Sequence, residues 1–417
     1  MTAAPVPERG SPHAGLRAIL VATLVAGVAG YLLQGLVGRF VTPDVFLRFS
    51  VFWSSIYLLV AALSGLQQET TRAAHAVPAG SDAPGRLLGF GLACAVGVGL
   101  LIAVTAPLWA DIIFPVRTGV LVLALALGAA GYVGVALLAG VFYGLRAWSA
   151  VAAATIVDAL LRLVLVGAAV LADASISVIA FAVVVPFPLS LSVLWLATRR
   201  RVKGRYVLDV PPRGLAWNAS RAVGGAISTG ILTSGYPLLI GATSTTEPEA
   251  LVGALIFVVT LTRAPLVVPA LALQSYLTVH FRDRPQTARS RLIRLLGAVV
   301  GVSALLAAIA FGVEPWLLRT IWGEAYVVSG LVCAGIVLTA GLTAGLCVSG
   351  AATLAANRHG TFVTGWSVAA LTSVLLLLLP IGLEARVLLS MAVGPLLGIL
   401  IHLARVPAPS SAESHPA

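Results

Sequence analysis

The chain has 417 residues, of which 59% are hydrophobic and only 10% are charged. A water-soluble protein carries roughly a quarter charged residues, so this composition excludes a soluble globular fold. The formal net charge of +11 reflects an excess of Lys and Arg residues, which lie in short segments between apolar runs. That pattern indicates membrane topology and not a nucleic-acid partner.

Apolar runs long enough to cross a bilayer recur about a dozen times, because a helix of roughly 20 residues spans the hydrocarbon core. We therefore expect an all-α polytopic membrane protein with about 12 transmembrane helices. The first six predicted spans are 16–37, 49–66, 87–109, 119–143, 151–171 and 176–198. The other six are 222–242, 251–277, 292–313, 327–352, 362–381 and 387–404.

A basic break divides these spans into two sets. We predict a tail over 1–15, a six-helix lobe over 16–198, a basic linker over 199–217, a second six-helix lobe over 218–404, and a tail over 405–417. Positively charged loops stay in the cytoplasm. With the N-terminus inside, the inner segments hold 19 of the 26 basic residues, so both tails and the linker are predicted to be cytoplasmic.

Matching polar residues indicate that the two sets are a diverged duplication. Thr23 and Tyr31 in the first span correspond to Thr229 and Tyr236 in the seventh, at an offset of 205 to 206 residues. Six spans separate the halves, so both enter the membrane in the same direction. This predicts two lobes related by a pseudo-twofold axis along the membrane normal, with a cleft between them.

Polar side chains follow one predicted face of the first span and one of the seventh. Such groups are costly in hydrocarbon and usually face a partner helix or a watery cavity. One interpretation is that they line a substrate path, and the other is tight helix packing, for which small and hydroxyl residues are favoured. The candidate residues are Thr23, Tyr31 and Gln34 in the first span, and Thr229, Thr233 and Tyr236 in the seventh.

Arg263 stands in the middle of the eighth span, and no acidic residue of that span can neutralise it. A guanidinium stays protonated at this depth and needs a counter-anion or water. A phosphate or diphosphate of a passing substrate would supply the anion. The alternative is a structural pair with an acid from another helix.

Asp158 and Arg162 are spaced four residues apart in the fifth span and can pair on one helix. The simpler interpretation is a self-neutralised structural pair. The functional alternative is a proton or cation site coupled to transport, with Asp158 as the titrating group.

Gln68, Glu69 and Arg72 close the second span. Glu69 and Arg72 are three residues apart, so they can form a helix-end pair that caps and anchors the span. The alternative is an inner gate that forms between the two lobes.

Signatures of catalysis, metal binding or cofactor binding are missing from the sequence, which has no phosphate-binding Gly-rich loop and no zinc-spaced His pair. We therefore expect neither an enzyme nor a cofactor or metal site. Cys94, Cys333 and Cys347 lie in apolar runs and read as packing residues. A membrane-embedded glycosyltransferase would need clustered acids in an outer loop, whereas these acids, including Glu314 and Glu384, are scattered over short predicted loops.

Three motifs carry a resemblance to a known family: LQQETTR at 66–72, LTRAP at 261–265 and WGEAY at 322–326. With them the chain resembles the multidrug, oligosaccharidyl-lipid and polysaccharide exporter superfamily, in particular its bacterial polysaccharide biosynthesis members of the O-antigen flippase type.

The resemblance implies a V-shaped pair of lobes that moves a polyprenyl-diphosphate-linked saccharide across the bacterial cytoplasmic membrane by alternating access. It places Arg263 at the diphosphate and tilts the interpretation of Glu69 and Arg72 toward a gate. Expected partners are that lipid-linked saccharide, membrane lipids and glycosyltransferases of the same pathway. The first span lacks the acidic residue of many drug exporters. An ion-coupled drug exporter of the same fold remains the alternative, and a non-transporting scaffold is a third reading.

Overall fold

The computed structural model describes residues 12–77, 84–202, 206–283 and 285–405, and these are almost entirely helical. The helices of the first half are α1 (Pro12–Phe40), α2 (Pro43–Ala73), α3 (Pro84–Thr105), α4 (Ala110–Ile113), α5 (Thr118–Gly144), α6 (Trp148–Leu171), α7 (Ile176–Val184) and α8 (Pro186–Val202). Those of the second half are α9 (Pro212–Thr233), α10 (Tyr236–Thr243), α11 (Glu249–Arg282), α12 (Ala288–Trp322), α13 (Gly330–Ala355), α14 (His359–Leu377) and α15 (Leu383–Arg405).

Ten stretches in the described residues are long and apolar enough to span a membrane, and two bent helix pairs raise the number to as many as 12. The predicted all-α fold with about 12 spans in two lobes is confirmed. The helices are longer than the predicted apolar runs at many ends. The second span, predicted as 49–66, is the helix Pro43–Ala73, and its polar extensions form ion pairs, Arg48 with Glu249 and Arg72 with Glu69.

The seventh span is broken, which corrects the prediction of one continuous helix over 222–242. Its two parts, α9 and α10, meet at an angle of 71°. Gly235 lies at the break, and Pro237 has no backbone N–H with which to continue the hydrogen-bond ladder. The predicted common face of Thr229, Thr233 and Tyr236 is therefore wrong for Tyr236, which lies beyond the break.

Glu314 lies within α12, which corrects its predicted place in an outer loop after a span ending at 313. The helix continues through Pro315 to Trp322. Pro315 cannot donate to the carbonyl of Phe311 four residues earlier. Gly330 packs against that carbonyl so closely that an added Cβ would lie 2.3 Å from its oxygen.

The predicted linker over 199–217 holds the end of α8, a short strand and the start of α9. The strand β2 (Tyr206–Leu208) pairs antiparallel with β1 (Ala74–Ala76), which follows α2. This pairing attaches the connection between the lobes to the end of the second span. Residues 203–205 of the linker, 1–11 of the first tail and 406–417 of the last tail lie outside the described residues.

The two lobes meet mainly where α2 packs against α9, α10 and α11. We call the end of the bundle at residues 40–43, where α1 passes into α2, the α1–α2 end, and the opposite end, at β1 and β2, the linker end. At the α1–α2 end the backbones nearly touch, since a Cβ on Gly253 would lie 1.8 Å from the carbonyl oxygen of Pro43.

Hydrogen bonds between the lobes reinforce the α1–α2 end, and aromatic side chains donate three of them. Tyr31 donates to the carbonyl of Leu261 at 2.9 Å, and the indole of Trp322 donates to that of Gly35 at 2.8 Å. The phenol of Tyr326 donates to the carbonyl of Val41 at 2.9 Å. Burial raises the pKa of Tyr326, so this phenol keeps its proton and remains a donor.

Candidate functional site

A cavity of about 340 Å³ lies inside the first lobe, among α1, α2, α5, α6 and α8. It runs from the middle of these helices toward the linker end, where Gln67 and Tyr143 line it. Its wall is mostly aliphatic and aromatic, with few polar groups. Ligand pockets commonly have this composition, in which a few placed polar groups fix the orientation of an apolar molecule.

Asp158 and Arg162 of α6 form the charged part of the cavity wall. The carboxylate accepts two hydrogen bonds from the guanidinium, at 2.5 and 3.0 Å. The Arg162 Nε donates to the carbonyl of Val183 at 3.0 Å, near the break between α7 and α8. The predicted pairing on one helix is thus observed. The arginine side chain is 4% exposed and that of the aspartate 22%, so the acid is the more accessible partner.

Aromatic rings surround this ion pair. The Arg162 guanidinium lies 4.6 Å from the ring centroid of Phe187 and 5.7 Å from that of Tyr57. Tyr57 stacks on Trp53, with 4.6 Å between the ring centroids. Contact with ring faces stabilises a buried cation, and flat apolar faces beside charged groups suit an amphipathic ligand.

Arg263, the predicted anion contact, does not line this cavity. Its side chain is buried in the second lobe, 4.5 Å from the ring centroid of Tyr236. One guanidinium nitrogen donates to the carbonyl of Leu232 and, at 3.2 Å, to the Thr343 hydroxyl, while Nε has no partner. Within the described residues no acid forms an ion pair with it.

The break in the seventh span explains where Arg263 points. A helix that stops inside a membrane leaves backbone carbonyls without partners, and each must be satisfied within the protein. Arg263 donates to one such carbonyl, that of Leu232. Ser54 of α2 donates to another, that of Ser234. The break is therefore stabilised from both lobes.

The predicted path residues occupy different surroundings. Thr23 is exposed, Tyr31 bonds across the lobes, and Gln34 is buried with a carbonyl oxygen that has no partner. Thr233 donates to the carbonyl of Thr229 on its own helix at 2.9 Å. None of these five residues, nor Tyr236, is among those that line the first-lobe cavity. Their role in substrate binding stays a prediction.

The predicted gate residues lie at the linker end of α2. Glu69 accepts from Arg72 at 2.7 Å and, across the lobes, from the Asn218 amide at 2.8 Å. Arg72 also contacts Asp209 at 3.3 Å. Gln68 is exposed. The helix-end pair is thus present and extends to the second lobe, while a gating role stays a prediction.

Sequence reasoning missed the aromatic part of the cavity. It comes from rings on three helices: Trp53 and Tyr57 on α2, Tyr132 on α5, and Phe187 on α8. Aromatic residues make up only 7% of the chain, so the four that the second span holds, Phe49, Phe52, Trp53 and Tyr57, were a usable signal. Their convergence on Asp158 depends on helix packing, which the spacing alone does not encode.

Two sequence relatives cover nearly the whole chain. It is 32% identical, over 96% of its length and 95% of the relative, to the Mycobacterium tuberculosis protein "Uncharacterized protein Rv3630". It is 34% identical, over 92% of its length and 89% of the relative, to "Uncharacterized protein Rv1510" of the same organism. The chain belongs to the family of these mycobacterial proteins. No family model matches it.

Solved structures show the same fold at low sequence identity. An inward-facing multidrug resistance MATE family transporter of the MOP superfamily matches 94% of the chain and 98% of its own, with a TM-score of 0.68 and 13% identity. The outward-facing form gives a TM-score of 0.61, with 13% identity and 95% of both chains covered. A MOP superfamily transporter from Pyrococcus furiosus, described by the reverse polarity of its binding pocket, gives 0.62, with 14% identity, 95% of this chain and 96% of its own. The chain is a multi-pass membrane protein with the fold of these transporters.

Proposed function

We propose that the protein is an exporter that moves an amphipathic, anionic substrate across the cytoplasmic membrane by alternating access of its two lobes. The substrate class that fits best is a polyprenyl-diphosphate-linked saccharide, as the family resemblance of the sequence motifs implies. The fold shared with MATE transporters supports the transport class. The cavity of the first lobe supports the assignment of the binding site.

The arrangement of Asp158, Arg162 and the surrounding rings is the observation that carries the proposal. Arginine presents a planar fork of donors that matches phosphate oxygens. A diphosphate that enters the cavity competes with Asp158 for this fork, and the freed carboxylate accepts hydrogen bonds from sugar hydroxyls. The faces of Trp53 and Tyr57 offer flat apolar surfaces to the saccharide or to the first prenyl units.

Arg263 enters the proposal as a second diphosphate contact, in a different conformation of the lobes. In the present packing Tyr236 covers its guanidinium. Contact with a substrate therefore requires α10 to move away from α11. Since its Nε already lacks a partner, an incoming anion would satisfy a donor that the protein leaves free.

A matched pair of substitutions on α6 tests the site. Ala154 lines the cavity, and its neighbour Ala153 is exposed on the outside of the bundle. In proteoliposomes with a fluorescent prenyl-diphosphate saccharide, we expect Ala154→Phe to abolish flipping by filling the cavity, and Ala153→Phe to flip at the wild-type rate. Flipping by Ala154→Phe at the wild-type rate would remove the cavity from the proposal.

A drug exporter is the second candidate, and the same carboxylate favours it. Asp158 among aromatic rings is also a site that an organic cation would occupy. The same proteoliposomes, loaded with an aromatic cation in place of the lipid, distinguish the two. Cation efflux together with an absence of lipid flipping would favour the drug exporter.

A further inference from the structure

Glu314 of α12 is a buried acid that the proposed site does not use. Its side chain is 7% exposed, and neither carboxylate oxygen has a hydrogen-bond partner. Phe311 and Trp316, close to it in sequence, are 58% and 61% exposed on the outer surface of the helix. The carboxyl therefore points into the protein from a helix whose outer face is apolar.

No cation neutralises this acid among the described residues. The titratable groups that face it are the thiol of Cys333 from α13 and, within electrostatic range, the phenol of Tyr31 from α1. Glu384, at the start of α15, acts on the same thiol and is also an acid. Arg319, the nearest arginine along the helix, pairs instead with Glu324 at 2.7 Å.

An ionised carboxylate in such a place is very costly, because nothing replaces the hydrogen bonds that water would give it. A carboxylic acid is far cheaper, since it carries no charge. A metal ion is a poor alternative, because the described residues contain no group of three or more acids, histidines or cysteines that could hold one.

We propose that Glu314 is a proton-binding site, whose carboxyl is protonated in this packing and gives its proton to water when α1 separates from α12. The released proton leaves a carboxylate that needs hydration. The ionised form therefore stabilises the separated state, and the protonated form stabilises the packed one.

The contacts that must break when α1 separates from α12 are hydrogen bonds between the two lobes. Trp322, two turns beyond Glu314 on α12, donates a hydrogen bond to the carbonyl of Gly35 on α1. Tyr31 of α1 donates one to the carbonyl of Leu261 on α11. Opening of the α1–α2 end breaks both hydrogen bonds and brings water to the acid. This coupling of the proton to lobe separation rests on the proposed alternating access, whereas the proton site itself does not.

Infrared difference spectroscopy in lipid nanodiscs tests the proton site without any substrate. At neutral pH we expect the carbonyl band of a protonated carboxylic acid in the wild type, its loss in Glu314→Gln, and its retention in Glu384→Gln, which removes an exposed acid. Cys333→Ala should keep the band and shift it, because the thiol faces the carboxyl and acts on it electrostatically.

A wild-type spectrum without the band, or a band that survives Glu314→Gln, would overturn the proton site. A band that sodium ions remove at constant pH would assign a metal cation in its place and would overturn the proposal equally.

Spin labels at the exposed positions Ala172 and Leu378 report on the α1–α2 end, in a chain whose partly exposed Cys94 is replaced by alanine. We expect the distance between the labels to lengthen as the pH rises in the wild type and to stay short in Glu314→Gln. A distance that does not change with pH while the infrared band is present would overturn the coupling. Failure of lipid flipping would contradict only the proposed function.

Discussion

Arg162 in the first lobe and Arg263 in the second are both buried arginines, and the protein stabilises their positive charges in two different ways. Each guanidinium is buried within a membrane span and lies 4.5 to 4.6 Å from the centroid of an aromatic ring. Each also donates to a backbone carbonyl near a helix break. Arg162 also has an acid partner and lines the first-lobe cavity, whereas Arg263 does not line that cavity and pairs with no acid in the part of the chain that the structure describes. Burial of a charge within a span is therefore not enough to identify a binding site. The open space beside the charge distinguishes the two.

The largest expected effect follows from removing Arg162. In Arg162→Met the Asp158 carboxylate loses its partner inside the lobe, and breaking a buried ion pair in this way costs about 3–5 kcal/mol. We expect a matching fall in the free energy of unfolding, measured by tryptophan fluorescence in mixed micelles. The double variant Asp158→Asn, Arg162→Met removes both charges and should recover part of the loss. No recovery would show that the two side chains act independently.

Removing Arg263 should cost less, because no acid is left unpaired. Arg263→Met leaves the carbonyl of Leu232 without a donor at the helix break, which costs about 1–3 kcal/mol. Arg263→Lys keeps a donor and should lose less, measured by the same unfolding experiment. A larger loss in Arg263→Met than in Arg162→Met would contradict the comparison of the two sites.

Two hydroxyl deletions sharpen the comparison further. Thr343→Val removes a hydroxyl that accepts from Arg263 at 3.2 Å, in a fully buried place, and should cost about 1 kcal/mol. Ser190→Ala removes a contact of 3.5 Å to Asp158, which is at the limit of hydrogen-bond geometry, and its cost should be close to zero. The difference in unfolding free energy between these variants measures how much more the Thr343 hydroxyl stabilises the fold through Arg263 than the Ser190 hydroxyl does through Asp158.

The smallest effect is expected at the linker end. Asn218→Ala removes the amide that bridges to Glu69 across the lobes, but Arg72 still satisfies the carboxylate. We expect a loss below about 1 kcal/mol, since the cluster is partly solvated. If the bridge acts as a gate, the transport rate should change while the unfolding free energy barely does. Equal and large losses of stability and transport would instead indicate a purely structural contact.

The fold was predictable because span length and loop charge depend on short stretches of sequence. The all-α architecture and the pairing of Asp158 with Arg162 follow from run lengths and from a spacing of four residues. The break at Gly235 was less predictable, because a proline near a span end is compatible with a kink, a stop or an uninterrupted helix. Glu314 was misplaced because the predicted span ended at 313, whereas the helix continues through Pro315 to Trp322.

The site was predicted only in part because a cavity is a property of packed helices. Arg263 attracted attention as an unpaired charge, and the sequence could not show that a carbonyl at a broken helix would be its acceptor. The rings of Tyr57, Tyr132 and Phe187 come from three helices separated by more than fifty residues at each step. No local pattern brings them to Asp158.

Photo-crosslinking of a prenyl-diphosphate saccharide is the most direct test of the binding site. A leucine analogue whose diazirine adds little volume replaces in turn Leu194 in the cavity wall, Leu196 outside it, and Thr343 beside Arg263. The first-lobe site predicts crosslinking from position 194 and none from position 196. Crosslinking from position 343 with none from 194 would contradict it and move the substrate to the second lobe.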